Sequence, residues 1–525
     1  MTEKTSANPT ALPGDHKPSP GLKVGAVGIV AVLFMALANA APITAMTGNV
    51  PIAVGFGNGT GAPAGYLVAT VVLTIFTVGY VAMARHITAT GAFYGFISHG
   101  LGQIWGMASG LLATMAYVVF EGSLVGIFAS FAKSTFEGFG FPTLSWIWWA
   151  LLCIGIISVL GYFDIEISGR ILGVFLVTEV TLLTIVSVGL LFKGGGPNGL
   201  MIGAINPLNA LKSAPTSADG SVVGVASIGL FFAFWSWIGY ETTAVYGEES
   251  KNPKKIIPRA TLIAVVALGL FYTFVSWMFI AANGTKDALD ISRGSTGNAF
   301  DMFFNPTKAT LGTAGLDLYK ILTVVGSFAC ALAFHNAASR YIYALGRESA
   351  VDRVKATIGS THPTHRSPHL ASAVQSLITL VLTLGFFWFQ KPTKAAPDVA
   401  YFYEYGLLAI LGTAAILIVQ TITSVAVVWY FHVGKHHPES AHWWRTLTAP
   451  ILGALGMGYV VFLLASNLSF AAGAAADSIV YKATPYIVIA TFLVGVAYAL
   501  WVRSAKPEVY AEIGRTVLVE AHERS

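Results

Sequence analysis

Three carboxylates stand inside long apolar runs: Glu121, Glu179 and Glu241. An ionisable side chain at membrane depth costs roughly 2.5–3.5 kcal/mol on insertion scales, so each is expected to face the protein interior and to bind charge or exchange a proton. Two of the apolar runs are also interrupted. One reads Ala38-Asn39-Ala40-Ala41-Pro42-Ile43-Thr44, where proline removes a backbone donor; the other reads Trp235-Ser236-Trp237-Ile238-Gly239-Tyr240-Glu241. A helix unwound at this depth bares N–H and C=O groups that lipid cannot satisfy, so the break must face protein, water or a ligand. Half-helix amino ends attract anions and carboxyl ends attract cations, and a zwitterion uses both. The substrate positions expected on this ground are Ala41, Pro42, Ile43 and Thr44 at the first break, and Trp235, Ser236, Gly239 and Glu241 at the second. Tyr117 and Glu121, four residues apart, share a helix face and would add a carboxylate for a substrate ammonium. Glu179 is expected to take up a proton in dry surroundings and to couple it to transport.

The elements that must position these groups follow from composition. The chain has 525 residues, 55% of them hydrophobic and only 10% charged, with a mean hydropathy of +0.69. That much apolar surface does not fit inside one water-soluble core, and the lipid bilayer is the solvent it requires. Runs of about 20 apolar residues predict twelve spanning helices, at 24–56, 64–84, 101–132, 143–162, 167–192, 222–247, 257–282, 316–346, 369–390, 402–432, 446–467 and 484–503. The lysines and arginines, Lys251, Lys254, Lys255 and Arg259 among them, concentrate on the loops that lie inside if the amino terminus is cytoplasmic. This bias predicts a multi-pass protein of the plasma membrane with both termini in the cytoplasm. The breaks fall in the first and sixth helices, matching positions of two five-helix blocks, and an odd block length makes the second run in the opposite sense. The expected organisation is a polar tail at 1–22, a first repeat at 23–192, an inverted repeat at 222–432, two further helices at 443–503 and a tail at 504–525.

Several functions find no support. The net charge of +5 is scattered over loops, so no nucleic-acid surface is expected. Cys153 and Cys330 lie far apart in apolar segments and read as buried hydrophobes. His362, His365 and His369 have metal-like spacing but sit in a Pro- and Thr-rich loop without Cys or carboxylate partners, so no metal site is expected. No phosphate-binding loop, hydrolase elbow or dinucleotide fingerprint occurs; an enzyme is not expected, no cofactor is required, and the energy source is an ion gradient, protons in preference to sodium.

The segment from Phe234 to Glu241, followed by Glu248-Glu249-Ser250-Lys251-Asn252-Pro253 and Ile257-Pro258-Arg259-Ala260, resembles the helix-six region of the amino acid, polyamine and organocation permease superfamily. Gly91-Ala92-Phe93-Tyr94-Gly95-Phe96 and the run from Ala338 to Arg347 are similar to it as well. The resemblance implies an all-α membrane protein with a five-plus-five inverted repeat, two added helices and alternating access around a central site. It implies that Trp235 covers the substrate, that Glu241 serves substrate release and pH response, and that Phe334 gates the site. Asn336 and Ser339 would join Glu179 in the coupling region. At the first break many amino acid carriers of the superfamily are glycine-rich, whereas this chain has Ala-Ala-Pro-Ile-Thr, leaving the backbone of Ile43 and the hydroxyl of Thr44 for a carboxylate. The function expected is proton-coupled uptake of an amino acid or related amine by a monomer or homodimer. The alternatives are an amine, polyamine or ethanolamine carrier or exchanger, and a membrane sensor that binds solute without moving it.

Overall fold

The computed structural model describes residues 22, 25–88, 91–163, 165–217, 220, 223–294, 298–393, 398–466 and 478–514. The tail expected at 1–22 lies outside the described residues except for Leu22, as does the expected tail beyond 514. The first helices are α1 (Ile29–Ala40), α2 (Pro42–Ile52), α3 (Ala62–Ala84), α4 (Phe93–Leu101), α5 (Gln103–Gly138), α6 (Trp146–Tyr162), α7 (Ile165–Phe192) and α8 (Ala226–Trp235). They are followed by α9 (Pro253–Ser292), α10 (Asp301–Arg347), α11 (Asp352–Thr357), α12 (His369–Phe389), α13 (Gly406–Val428) and α14 (Ala449–Ser466). Helices α15 (Ile479–Ala505) and α16 (Pro507–Glu512) complete the order.

Nine helical stretches among the described residues are long and apolar enough to cross a membrane. The twelve expected segments map onto them with three differences. The first two join in one run, Ile29–Ala84; Trp146–Tyr162 is apolar but shorter; and the segment at 222–247 gives only the ten residues of α8 before it breaks. Two further expectations are corrected. Gly284 (φ 78°) and Gly312 (φ 72°) leave helical geometry and kink the chain, so a further helical piece follows the seventh expected helix, up to Ser292, and another precedes the eighth, from Asp301, on either side of the Gly294 loop. Residues 93–101 form a separate short helix, set off from α5 by Gly102 at φ 95°.

Helices α5 and α10 are buried over most of their length and pack against each other at the centre. At the periphery, α14 and α15 leave Leu455, Phe462, Ile489 and Leu493 exposed on apolar faces suited to lipid. Small residues let the backbones approach: a Cβ on Gly57 would lie 2.5 Å from the Cα of Gly229, so the chain after α2 touches the start of α8 directly.

Candidate functional site

The first break is a single residue. Ala41 takes a left-handed conformation (φ 41°, ψ 75°) and Pro42 opens α2, where its missing N–H costs nothing. The second break is longer. Helix α8 ends at Trp235, Gly239 turns at φ 114°, and the chain continues as a 3₁₀ helix over Tyr240–Tyr246. A Cβ on Gly239 would lie 2.4 Å from that of Asn39, so the two breaks meet backbone to backbone. Asn39 Nδ2 donates to Thr242 Oγ1 at 2.8 Å, and the freed carbonyls of Asn39 and Ala40 accept from Cys330 Sγ (3.1 Å) and the Tyr272 hydroxyl (2.7 Å). These bonds satisfy groups that the break would otherwise leave bare.

Beside the junction is a cavity of about 20 Å³, lined by Asn39, Ala40, Ala41, Thr44, Ala45, Asn49, Leu124, Trp235, Ser236, Ile238, Cys330, Phe334 and Tyr405. That is room for roughly one water molecule. Its aromatic wall is built from Trp235, 4.6 Å from Phe120 between ring centroids, with Phe334 5.2 Å from Phe120. Trp235 Nε1 donates to the Tyr405 hydroxyl at 3.1 Å, which in turn donates to Asn49 Oδ1; Asn49 Nδ2 donates to Ser236 Oγ at 2.8 Å. The Thr44 hydroxyl is buried in this wall without a protein partner. It stands in the first turn of α2, where backbone N–H groups also lack intrahelical acceptors.

Of the residues singled out in the sequence, the structure brings Ala41, Thr44, Trp235, Ser236 and Phe334 to the cavity. Gly239 and Glu241 lie behind it: Glu241 accepts from Tyr117 at 2.9 Å and from the Gly239 N–H at 3.0 Å, so its carboxylate braces the second break. Pro42 and Ile43 are buried beyond the lining, and the Ile43 N–H points to Glu179 Oε2 at 3.4 Å instead of being free for a solute. Glu179 comes this close because position 326 is glycine; a Cβ there would lie 2.6 Å from Glu179 Oε1 and equally near Ile43 Cγ2. Glu121 turns away from the cavity and accepts from Gln375 Nε2 at 2.6 Å, with His335 Nδ1 2.9 Å from the same oxygen. Asn336 and Ser339 are buried further along α10, the Asn336 carbonyl accepting from Arg340. The sequence reading missed Asn49, Leu124, Tyr405 and the fully buried Glu404, whose signal was a charge inside the tyrosine-rich run 401–405.

The two ends of the bundle differ. At one, Arg340 forms a two-pronged pair with Glu249 at 2.7 and 3.0 Å, and Arg347 another with Glu248 at 2.7 and 3.0 Å. The Val27 N–H donates to the Glu249 carbonyl and the Lys251 N–H to the Val27 carbonyl, both at 3.0 Å, so the chain entering α1 is fastened to the segment after the second break. At the other end a vestibule of about 630 Å³ is lined in part by Ser130, Lys133, Glu137, Arg293, Asp398, Phe300 and Tyr401. The Phe131, Phe300 and Tyr401 rings pack in sequence at 4.9 and 5.1 Å between the vestibule and the core.

A solved transporter structure shares this fold. The chain superposes on a mutant manganese transporter of Eremococcus coleocola with a TM-score of 0.58 and 11% identity, over 92% of this chain and 95% of that one. Mhp1, a nucleobase-cation-symport-1 family transporter in a closed conformation with bromovinylhydantoin bound, gives 0.49 at 14% identity over 94% and 98% of the two chains. In sequence, the serine/threonine exchanger SteT of Bacillus subtilis (strain 168) is 23% identical over 312 residues, 59% of this chain. The match covers 64% of that exchanger, less than two thirds of its length. The amino acid permease family model matches residues 27–499, nearly the whole of the helical part. The chain is a multi-pass membrane protein and belongs to the amino acid permease family.

Proposed function

We propose that this permease moves small zwitterionic amino acids by alternating access, with twelve membrane crossings arranged as two inverted five-helix repeats and two added helices. Both termini lie in the cytoplasm, the membrane is the plasma membrane, and protons drive uptake. The observation that carries the reading is the cavity at the meeting point of the two breaks, whose lining holds both the unpaired Thr44 hydroxyl at the amino end of α2 and the aromatic side chains of Trp235 and Phe334. The amino end and the hydroxyl suit a carboxylate, and the ring faces suit an ammonium group. The cavity holds only about one water molecule, so admitting a solute requires it to widen, which the small side chains of Ala41, Ala45 and Cys330 in its lining favour. Glu179, touching the first turn of α2, is placed to sense that turn: a proton on it discharges a buried carboxylate and favours closure around the solute.

L-Serine and L-threonine are the first solutes to test, because the similar protein of Bacillus subtilis exchanges them. Uptake of labelled L-serine into proteoliposomes should rise when the outside is made acidic and should be inhibited by L-threonine but not by ethanolamine, which lacks the carboxylate. Equal inhibition by ethanolamine would remove the carboxylate from the reading. The same similarity favours exchange as the second reading. It predicts negligible uptake into empty vesicles and fast uptake into vesicles preloaded with unlabelled L-serine.

A further inference from the structure

Behind the aromatic wall lies a second polar system that the solute cavity does not use. Phe334 and His335 are neighbours on α10, yet Phe334 lines the cavity while His335 turns the other way, to Glu121 on α5. Its Nε2 is 2.7 Å from Ser372 Oγ on α12. From Ser372 the polar residues Gln375, Thr379 and Thr383 follow at helical spacing, all buried against the bundle. Gln375 Nε2 donates to Glu121 at 2.6 Å and lies 3.2 Å from Thr379 Oγ1; Thr383 Oγ1 donates to Glu404 Oε1 at 2.6 Å. Glu404 sits in the wide helical turn Ala400–Tyr405, whose Tyr401 lines the vestibule. The eleven steps from Ser372 to Thr383 rise about 16 Å at 1.5 Å each, roughly half the hydrocarbon thickness.

Two atoms point to what the stripe carries. Glu121 Oε1 and Glu404 Oε2 are buried with no hydrogen-bond donor, in side chains that are fully enclosed. A buried carboxylate oxygen without a donor is costly as an anion, and uptake of a proton relieves that cost. The groups that face the stripe from packed elements are His335 of α10 and the Cys153 thiol of α6, which lies in electrostatic range of both carboxylates. Phe120 stands between the stripe and the cavity, against Trp235 and Phe334.

We propose that this stripe is a proton path separate from the solute cavity, with Glu404 as its acceptor on the vestibule side and the Glu121–His335 pair as its acceptor toward the opposite end. A proton from vestibule water binds Glu404 and passes along α12 by way of the Thr383 and Thr379 hydroxyls. Because the Gln375 amide nitrogen only donates, a water beside it completes the transfer to Glu121 or His335, and the proton leaves past Ser372, so that each group returns to its starting state. The proposal rests on the proton-driven reading above, and its test separates the two. Proteoliposomes holding a trapped pH-sensitive dye are given external L-serine, and proton entry is followed beside L-serine counterflow. Wild-type protein should show proton entry with uptake; Glu404→Gln and Glu121→Gln should reduce it at least tenfold while counterflow stays within twofold. If wild-type protein accumulates L-serine without a proton signal, proton drive fails and the path falls with it. If proton entry is present in wild type and unchanged in both variants, proton drive stands and this path is wrong. Should either glutamine variant lose counterflow altogether, the near-isosteric Thr379→Val/Thr383→Val pair takes its place, with the same reduction expected and unchanged proton entry as the refuting result.

Discussion

Glu249→Gln tests the closure at the Arg340 end most directly. The Arg340 and Glu249 side chains are 4% and 3% exposed, and two charge-assisted bonds of 2.7 and 3.0 Å join them. A hydrogen bond to a charged group contributes roughly 1.5–3 kcal/mol, and glutamine keeps one acceptor of the two. The closed arrangement should therefore lose about 1.5–3 kcal/mol, which multiplies the open-to-closed ratio at this end about 10- to 150-fold, since 1.4 kcal/mol is a factor of ten. Spin labels at the exposed positions Lys254 and Asp352 would report the change by pulsed electron paramagnetic resonance in nanodiscs. The expected result is a second, longer distance population in Glu249→Gln, and a smaller one in Glu248→Gln, because the Arg347 side chain is 18% exposed and water screens that pair better. A single unchanged distance in folded Glu249→Gln protein would refute the reasoning that this pair holds the end closed.

Gly239→Ala forces a side chain onto φ 114° and sets its Cβ 2.4 Å from that of Asn39, so backbone strain and overpacking should together cost about 2–6 kcal/mol; an unchanged melting temperature in detergent would contradict the contact between the breaks. Gly326→Ala should push Glu179 off the Ile43 N–H and abolish the stimulation of L-serine uptake by external acid while leaving exchange measurable; full acid stimulation would show that this contact is dispensable. His86, beyond the end of α3, stacks on His437 at 4.2 Å; burial first, and then the charge of His437, lowers its pKa from the ordinary value. A folded-state pKa below the unfolded one contributes stability that is present above about pH 6.5 and lost as pH falls through the folded value. His86→Gln should therefore flatten the loss of melting temperature between pH 7 and pH 5, and an equal loss in both proteins would count against it.

The positions of the breaks were legible because each rests on local chemistry. A residue before proline resists the helical region, and Ala41 leaves it; Gly239 supplies a positive φ inside an apolar run. The direction of the carboxylates was not legible. Tyr117 and Glu121 are one turn apart on α5, yet the tyrosine reaches Glu241 and the glutamate reaches His335, because a helix enclosed on all sides presents partners at every angle. Helical spacing tells which residues are neighbours on a face, and not what lies opposite that face. Glu404 escaped notice for a related reason. It stands near the start of the span expected at 402–432, and its burial comes from the packing of Ala400–Tyr405 on α5 and from Thr383 of α12, which spacing along the chain does not show. The helical pieces beyond the kinks at Gly284 and Gly312 were hidden because those segments are too polar to read as membrane helix.

The two main-chain bonds that Val27 makes with Glu249 and Lys251 have a mechanical corollary. Separating that end of the bundle means peeling the incoming strand as well as parting side chains, so the lead-in to α1 acts as a drawstring. A bulky fusion partner or surface tether attached upstream would load that drawstring, and its length and stiffness become variables in any measurement of transport rate.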